Sequence, residues 1–416
     1  IEHGLVVVTK CDLVDDELIE LTDMEIQELI TGSFLEAAPI IHTSVVTGQG
    51  VKEVQDALTE LSKEIDPKPP GDLFRMAVDR CFAMAGQGTV VTGSVISGSV
   101  CIGDEVQWLP GCRILRVRSL QAHDQRLKKV QRGQRAAIGL VGAHHRDIIR
   151  GHELATRGYL RPSRILTTQL RVLDSCPVHI KRRMRVRVHL GTSTVVATVS
   201  LLDRDRIGPG EAVAAQLLLA EPVVAVCGQP FVIRQLSPVM TLGGGHVLQP
   251  VALRIRKENA KALQIVDDVG STVRADRAAG AICFYGTTPW TMMDLCRDAN
   301  LNMSEAEPTV DQLETQGIVT ALQVGHGQTV RLHRQVLAER ETRVVEAIRH
   351  HHESYPLDTS MDRNQIAQQV GMKDEAPLLA AITDRLTGQD RLRVVGDGLA
   401  LTGFAPTLTE GQRAAY

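Results

Sequence analysis

The sequence predicts a multidomain chain: the closing half of a parallel α/β domain, then two all-β barrels, then helix-rich α+β modules. Three observations carry this. Up to residue 66 the apolar residues follow a strand, helix, strand, helix order. From Asp72 to about Pro250 helical periods disappear, and short alternating Val/Ile/Leu/Thr runs are separated by Gly and Pro. After Pro250 the helical period returns, and twice it is followed by a pair of short strands.

In chain order, Leu5-Val6-Val7-Val8 reads as a buried strand, residues 15–31 as an acidic amphipathic helix, Pro39 to Thr43 as a second strand and 51–64 as a second helix, giving one segment over 1–66. Pro67-Lys68-Pro69-Pro70-Gly71 reads as a short, stiff linker over 67–71. The β region divides near Arg161-Pro162-Ser163, where a fresh alternating strand begins (Leu166 to Leu173), so barrels are expected over 72–160 and 161–251. Gly86-Gln87-Gly88-Thr89-Val90-Val91-Thr92-Gly93 lacks the third glycine spacing of a dinucleotide fingerprint and opens no helix, so it reads as a turn between strands. Gly243-Gly244-Gly245 reads as close backbone approach at a barrel corner, not as a phosphate cradle. Over 252–335, helical patterns at 273–285, 289–299 and 304–316 precede strand-like runs at Val319-Thr320-Ala321-Leu322 and Val330-Arg331-Leu332, the order of a winged-helix module. That order recurs over 336–404, and 405–416 reads as the start of a further module. The chain is expected to be cut at both ends.

Composition narrows the function classes. With 416 residues, 43% of them hydrophobic and only 3% aromatic, the chain can give several domains a core. It has no run of about 18 apolar residues, so no membrane span is expected and a cytoplasmic location is the default. The eight cysteines are scattered singly without a Cys-x-x-Cys pair, which points to buried thiols instead of zinc or disulfides. His350-His351-His352 falls inside a helix, where adjacent side chains diverge, so it reads as solvent-exposed and not as a metal tract. Charge is uneven: residues 1–66 carry 15 Asp/Glu against 3 Lys, whereas 113–135 and 161–190 each carry 8 Lys/Arg against a single Asp. Two basic stretches on an acidic chain suggest a polyanion, most simply a nucleic acid; solvated strand faces are the alternative.

Thr9-Lys10-Cys11-Asp12 follows a strand directly, and an Asp so placed can accept hydrogen bonds from both the ring N–H and the exocyclic amine of guanine. Adenine offers no such pair. Thr43-Ser44-Val45-Val46-Thr47-Gly48-Gln49-Gly50 also lies between a strand and a helix, where GTPases place a loop whose backbone N–H meets the guanine carbonyl. Thr9, Lys10, Asp12, Ser44 and Val45 are therefore the candidate base-binding residues, and 1–66 reads as the C-terminal part of an α/β P-loop GTPase domain. The chain contains no Gly-Lys dipeptide, so the usual phosphate-binding loop is missing from it. In the second basic stretch, Arg183, Arg185 and Arg187 alternate with Met184, Val186 and Val188, which in a strand lines three guanidinium groups along one face suited to a phosphate backbone.

These features converge. Thr9-Lys10-Cys11-Asp12, Val78-Asp79-Arg80-Cys81-Phe82, Gly86 to Gly93, Gly103-Asp104, Val188-His189-Leu190-Gly191-Thr192 and Ser237-Pro238 through Gly245 resemble the translational GTPases. More specifically, the chain resembles the SelB family of selenocysteine-specific elongation factors over essentially all its residues. Thr at position 9, where most GTPases have Asn, and the helical modules after the second barrel separate it from EF-Tu. The resemblance implies a carrier that binds GTP/GDP with Mg²⁺, holds selenocysteinyl-tRNA, delivers it to the ribosome at recoded UGA codons and reads an mRNA hairpin through terminal winged helices. It implies that phosphate loop and switches lie upstream of Ile1, that this stretch alone neither binds nucleotide tightly nor hydrolyses GTP, and that most of the hairpin-reading modules lie downstream. It also implies that Asp79, Arg80 and Arg150 belong to a pocket for the selenocysteinyl group, structural ion pairs being the alternative, and that Arg183, Arg185 and Arg187 contact tRNA. Selenol ionises more readily than a hydroxyl, so fixed cations can select selenolate over serine. Gly228-Gln229-Pro230-Phe231 departs from the family's Gly-Asp-Arg-Phe, losing an acid and a base. A different translational GTPase with a winged-helix tail, acting in ribosome rescue, is the alternative; a DNA-binding role is disfavoured because 304–316 carries acids and no Lys or Arg.

Overall fold

The computed structural model describes residues 3–64, 71–84, 88–255, 268–325 and 327–406, in two compact units, 1–69 and 70–416. In the first unit, β1 (Val6–Thr9) and β2 (Ile40–Thr43) pair in parallel, from Val6 opposite Ile40 to Thr9 opposite Thr43. A parallel pair needs a crossover, which α1 (Asp16–Ile30) supplies; the Asp15 carboxylate caps it by accepting the Leu18 N–H at 3.1 Å. After β2 comes α2 (Val51–Glu64). β1 is less covered than its apolar run suggests: Val7 is 36% exposed, and α1 leaves Leu21, Met24 and Leu29 in solvent. Two strands and two helices cannot enclose a core of their own. Residues 67–70 of the expected linker lie outside the described residues.

In the second unit a first barrel is formed by β3 (Arg75–Met84), β4 (Gly88–Ser97), β5 (Glu105–Leu109), β6 (Arg113–Ala122), β7 (Arg135–Val141) and β8 (Glu153–Ala155). They run in the order β7-β4-β3-β8-β5-β6, and β6 pairs back onto β7. Alternate residues point inward, so Met76, Val78, Val91, Val117, Ile138 and Leu154 fill the interior. Residues 85–87 lie outside the described residues, but β3 and β4 pair up to Met84 opposite Gly88, and no helix follows the glycine-rich stretch.

The second barrel comprises β9 (Ser163–Val172), β10 (Arg185–Leu190), β11 (Ser193–Leu201), β12 (Ala212–Val223), β13 (Pro230–Gln235) and β14 (Thr241–Gln249). It closes in the order β9-β12-β11-β10-β13-β14. The three glycines lie within β14, not at a corner. That strand is pressed between β9 and β13, and a Cβ on Gly244 would stand 2.5 Å from the Phe231 carbonyl oxygen, while Gly243 and Gly245 face the carbonyls of Arg171 and Gln169.

Beyond the barrels, α3 (Arg274–Tyr285), α4 (Met292–Ala299) and α5 (Met303–Thr315) lead into the hairpin β15 (Val319–Val324) and β16 (Gln328–His333). A second set follows: α6 (Arg334–Ser354), β17 (Met361–Asp362), α7 (Arg363–Gln369), α8 (Ala376–Gly388), β18 (Leu392–Val395) and β19 (Gly398–Leu401). The first set is fused to the barrels, since Ala278, Ile282, Leu295 and Val310 share one core with Leu73, Leu109, Leu160 and Val224. Beside this core Arg297, 2% exposed, lies between Asp294 (2.9 Å) and Asp298 (2.6 Å), while Arg161 reaches Asp294 and the Tyr285 hydroxyl donates to Asp298. No described helix is long and apolar enough to cross a membrane.

Two further sequence expectations are corrected. His352 is buried, because it falls four residues after Ile348 on the stripe of α6 that faces the core; its ring stacks on Phe404 at 3.6 Å, and burial pushes its pKa down. Of the cysteines, Cys101 and Cys112 are exposed and Cys81 half-buried, since they sit at strand ends or outward positions; the other five are buried. Residues 407–416 lie outside the described residues.

Candidate functional site

At the carboxyl ends of β1 and β2, level through the Thr9–Thr43 pair, two loops emerge side by side. Ligands of parallel sheets gather at such ends. Lys10 adopts a left-handed backbone (φ 63°), and the short turn after it is closed by the Leu13 N–H to the Lys10 carbonyl at 3.0 Å. Non-glycine residues hold that conformation at a cost of about 1–2 kcal/mol, and such strain concentrates at ligand clamps. Buried Cys11 turns inward, leaving Thr9, Lys10 and Asp12 exposed. In the second loop Ser44 is buried; its N–H donates to the Gln49 carbonyl (3.0 Å), and its hydroxyl accepts the Thr47 N–H (3.2 Å). This loop holds Val45 and Val46 out at 90% and 85% exposure. The structure thus brings Thr9, Lys10 and Asp12 beside Ser44 and Val45.

The second cluster lies on the first barrel. β3 bulges between Val78 and Arg80, which makes Asp79 the extra residue. The turn carrying Arg150 is tied to the same place, because the Gly151 N–H donates to the Val78 carbonyl (3.2 Å) and the His152 carbonyl accepts the Val78 N–H (2.9 Å). Asp79 is held from elsewhere: Thr92 Oγ1 donates to Oδ1 at 2.6 Å, and Arg135 donates to Oδ2 at 2.8 and 3.1 Å. Partial burial pushes the Asp79 carboxyl upward, but these hydrogen bonds and the charges of Arg135 and Arg80 more than offset it, leaving it below the usual range. Arg80 and Arg150 are exposed, and neither pairs with a carboxylate among the described residues. Thr92 and Arg135 escaped the sequence reading. Arg135 was visible only as the last member of a basic stretch.

Between the barrels, Arg75 of β3 makes a buried double hydrogen bond to Glu153 of β8 (2.5 and 2.7 Å) and donates to Gln229 Oε1 of the second barrel at 2.7 Å. The Gln of the departing Gly228-Gln229-Pro230-Phe231 run thus supplies a neutral acceptor to a pair already balanced in charge.

The basic face of the second barrel differs from its expectation. β10 starts at Arg185; Arg183 sits in the preceding turn with a left-handed backbone (φ 68°), so it does not share the strand's face. Arg185 and Arg187 do, together with His189, while Val186, Val188 and Leu190 are buried. Opposite Arg187 stands Arg234 of β13, a residue the sequence reading missed. Burial and the two neighbouring guanidinium groups push the His189 pKa down.

Residues 167–254 match the family described as "Selenocysteine-specific elongation factor, beta-barrel domain", and 88–155 match "Elongation factor Tu domain 2". A selenocysteine-specific elongation factor of Desulfomicrobium baculatum is 30% identical over 412 residues, covering 99% of this chain and 64% of the relative. A crystal structure of bacterial selenocysteine-specific elongation factor EF-Sec superposes with a TM-score of 0.71 at 22% identity, over 96% of this chain and 62% of that one. SelB of Methanococcus maripaludis, in complex with the GTP analogue GPPNHP, gives 0.52 at 23% identity over 61% of this chain and 60% of that one. The chain therefore spans under two thirds of the length of these relatives. Both barrels are matched in order, and the similarity to selenocysteine-specific elongation factors runs from the β1 corner through the last helical set.

Proposed function

We propose that this chain serves a GTP-dependent factor that carries selenocysteinyl-tRNA to the ribosome at recoded UGA codons. The continuity of the match carries the reading: one relative of that name aligns through the base corner, both barrels and both helical sets. In this reading Asp12 and Lys10 hold the guanine edge and face, and the loop at Ser44 and Val45 meets its carbonyl. GTP supplies the energy difference between tRNA-holding and tRNA-releasing states. The fit for the base is good, since the strained Lys10 and the outward Val45 leave a clamp open to solvent. Phosphate and Mg²⁺ are another matter. The sequence has no Gly-Lys phosphate loop, and among the described residues no group of three or more His, Cys, Asp or Glu is placed to hold a metal, so no residue here is assigned to either. The 416-residue chain by itself is expected to lack GTPase activity.

Arg80 and Arg150 are proposed as the cations that select selenolate, and Arg185 and Arg187, joined by Arg234, as a tRNA-backbone contact. The helical sets are proposed as winged-helix modules. Their part in reading an mRNA hairpin rests on the resemblance alone. Binding measured with the full-length protein and GTP tests the whole: selenocysteinyl-tRNA should dissociate far more slowly than seryl-tRNA. Equal dissociation rates would point instead to a translational GTPase without selenocysteine specificity.

A further inference from the structure

Resting on the assignment of Arg80 and Arg150 to a selenolate pocket, we propose that Arg135 is a positioning residue for it: by holding Asp79, it keeps that carboxylate from neutralising Arg80. Asp79 precedes Arg80 at the β3 bulge and is the anion closest to it along the chain. Both its oxygens are engaged, Oδ1 by Thr92 and Oδ2 by two N–H groups of Arg135. Thr92 stands opposite Arg80 on β4, and Arg135 comes from β7 on the far side of β4. Asp79 is thereby drawn across the sheet, and Arg80 keeps no ion pair among the described residues. Two guanidinium groups, of Arg135 and Arg80, then act on one carboxylate. Removing Arg135 lowers that balance by one charge and frees Oδ2 to turn to Arg80. Selenolate selection depends on unpaired positive charge, whereas a neutral seryl hydroxyl is indifferent to it.

The test compares dissociation of selenocysteinyl- and seryl-tRNA from the GTP form of the full-length protein. Arg135→Gln should reduce the preference for selenocysteinyl-tRNA by about threefold to fivefold, the range of a partly solvated ion pair, with seryl-tRNA unchanged. Arg135→Lys should restore part of the preference, because the charge returns without the fork that gives two N–H groups to one oxygen. The double variant Asp79→Asn with Arg135→Gln should match Asp79→Asn alone, since no carboxylate is left to stray. Equal weakening of both tRNAs by Arg135→Gln, or no recovery in the double variant, overturns the proposal in favour of a structural role. Arg80→Gln separates the two layers: an unchanged preference there removes the pocket reading itself, whereas a loss there with none in Arg135→Gln removes only the positioning role.

Discussion

Arg297 shows how far a single side chain can depart from what its sequence position suggests. Within Asp294-Leu295-Cys296-Arg297-Asp298 it reads as part of an ordinary charged helix, yet it is almost wholly buried between two carboxylates. Burial pushes Asp298 upward even against the hydrogen bonds from Arg297 and Tyr285. Arg297→Met would leave buried carboxylates uncompensated and is expected to destabilise by about 3–5 kcal/mol in denaturation experiments. Its pH dependence has a defined sign. An acid whose folded-state pKa is raised stabilises below its unfolded value and loses that contribution as pH rises through the folded value. Losing Arg297 raises Asp298 further, so the deficit should be smaller at about pH 5 than at about pH 7.5. An equal deficit at both would refute the assignment. Arg183 teaches the converse: alternation with Met184 and Val186 was legible, but the left-handed turn that takes it off the strand was not, because an arginine gives no local mark of positive φ.

Element type was legible wherever the apolar period was long. The parallel strands of the first unit, the β region and the helices after it all lie where alternation or helical spacing placed them. What the sequence withheld was contact between elements, as with β14, whose glycines are set by carbonyls of two neighbouring strands. Gly245→Ala should destabilise by about 1–3 kcal/mol or more, since the Gln169 carbonyl must move and cannot do so without β9. Gly388, at the end of α8, is the control, because an added methyl group there would meet nothing within 4 Å. Gly388→Ala should be neutral or stabilise by up to about 1 kcal/mol through helix propensity. Thermal melting of the two variants checks the contrast, and similar losses in both would show that packing around β14 is not the cause.

At the scale of the second unit, the cores are continuous. Residues of both barrels share a core with α3–α5, and β15 and β16 contribute Leu322, Val324 and Leu332 to the core of the second helical set. Shared cores couple unfolding. The chain has two tryptophans, Trp108 in the first barrel and Trp290 between α3 and α4, and the variants Trp108→Phe and Trp290→Phe isolate each fluorescence signal. Both should report one melting midpoint. A clearly lower midpoint for Trp290 would mean that α3–α5 come loose on their own. This coupling was hidden in the sequence, where Pro250 and the return of helical period suggested independent modules.

β15 gives that continuity a further meaning. Val319 belongs to the core shared with the barrels, and Leu322 and Val324, on the same six-residue strand, belong to the core beyond it. One strand stitches the two together, and so fixes a length. The spacing between the barrels and the second helical set is then set by folding and not by a tether.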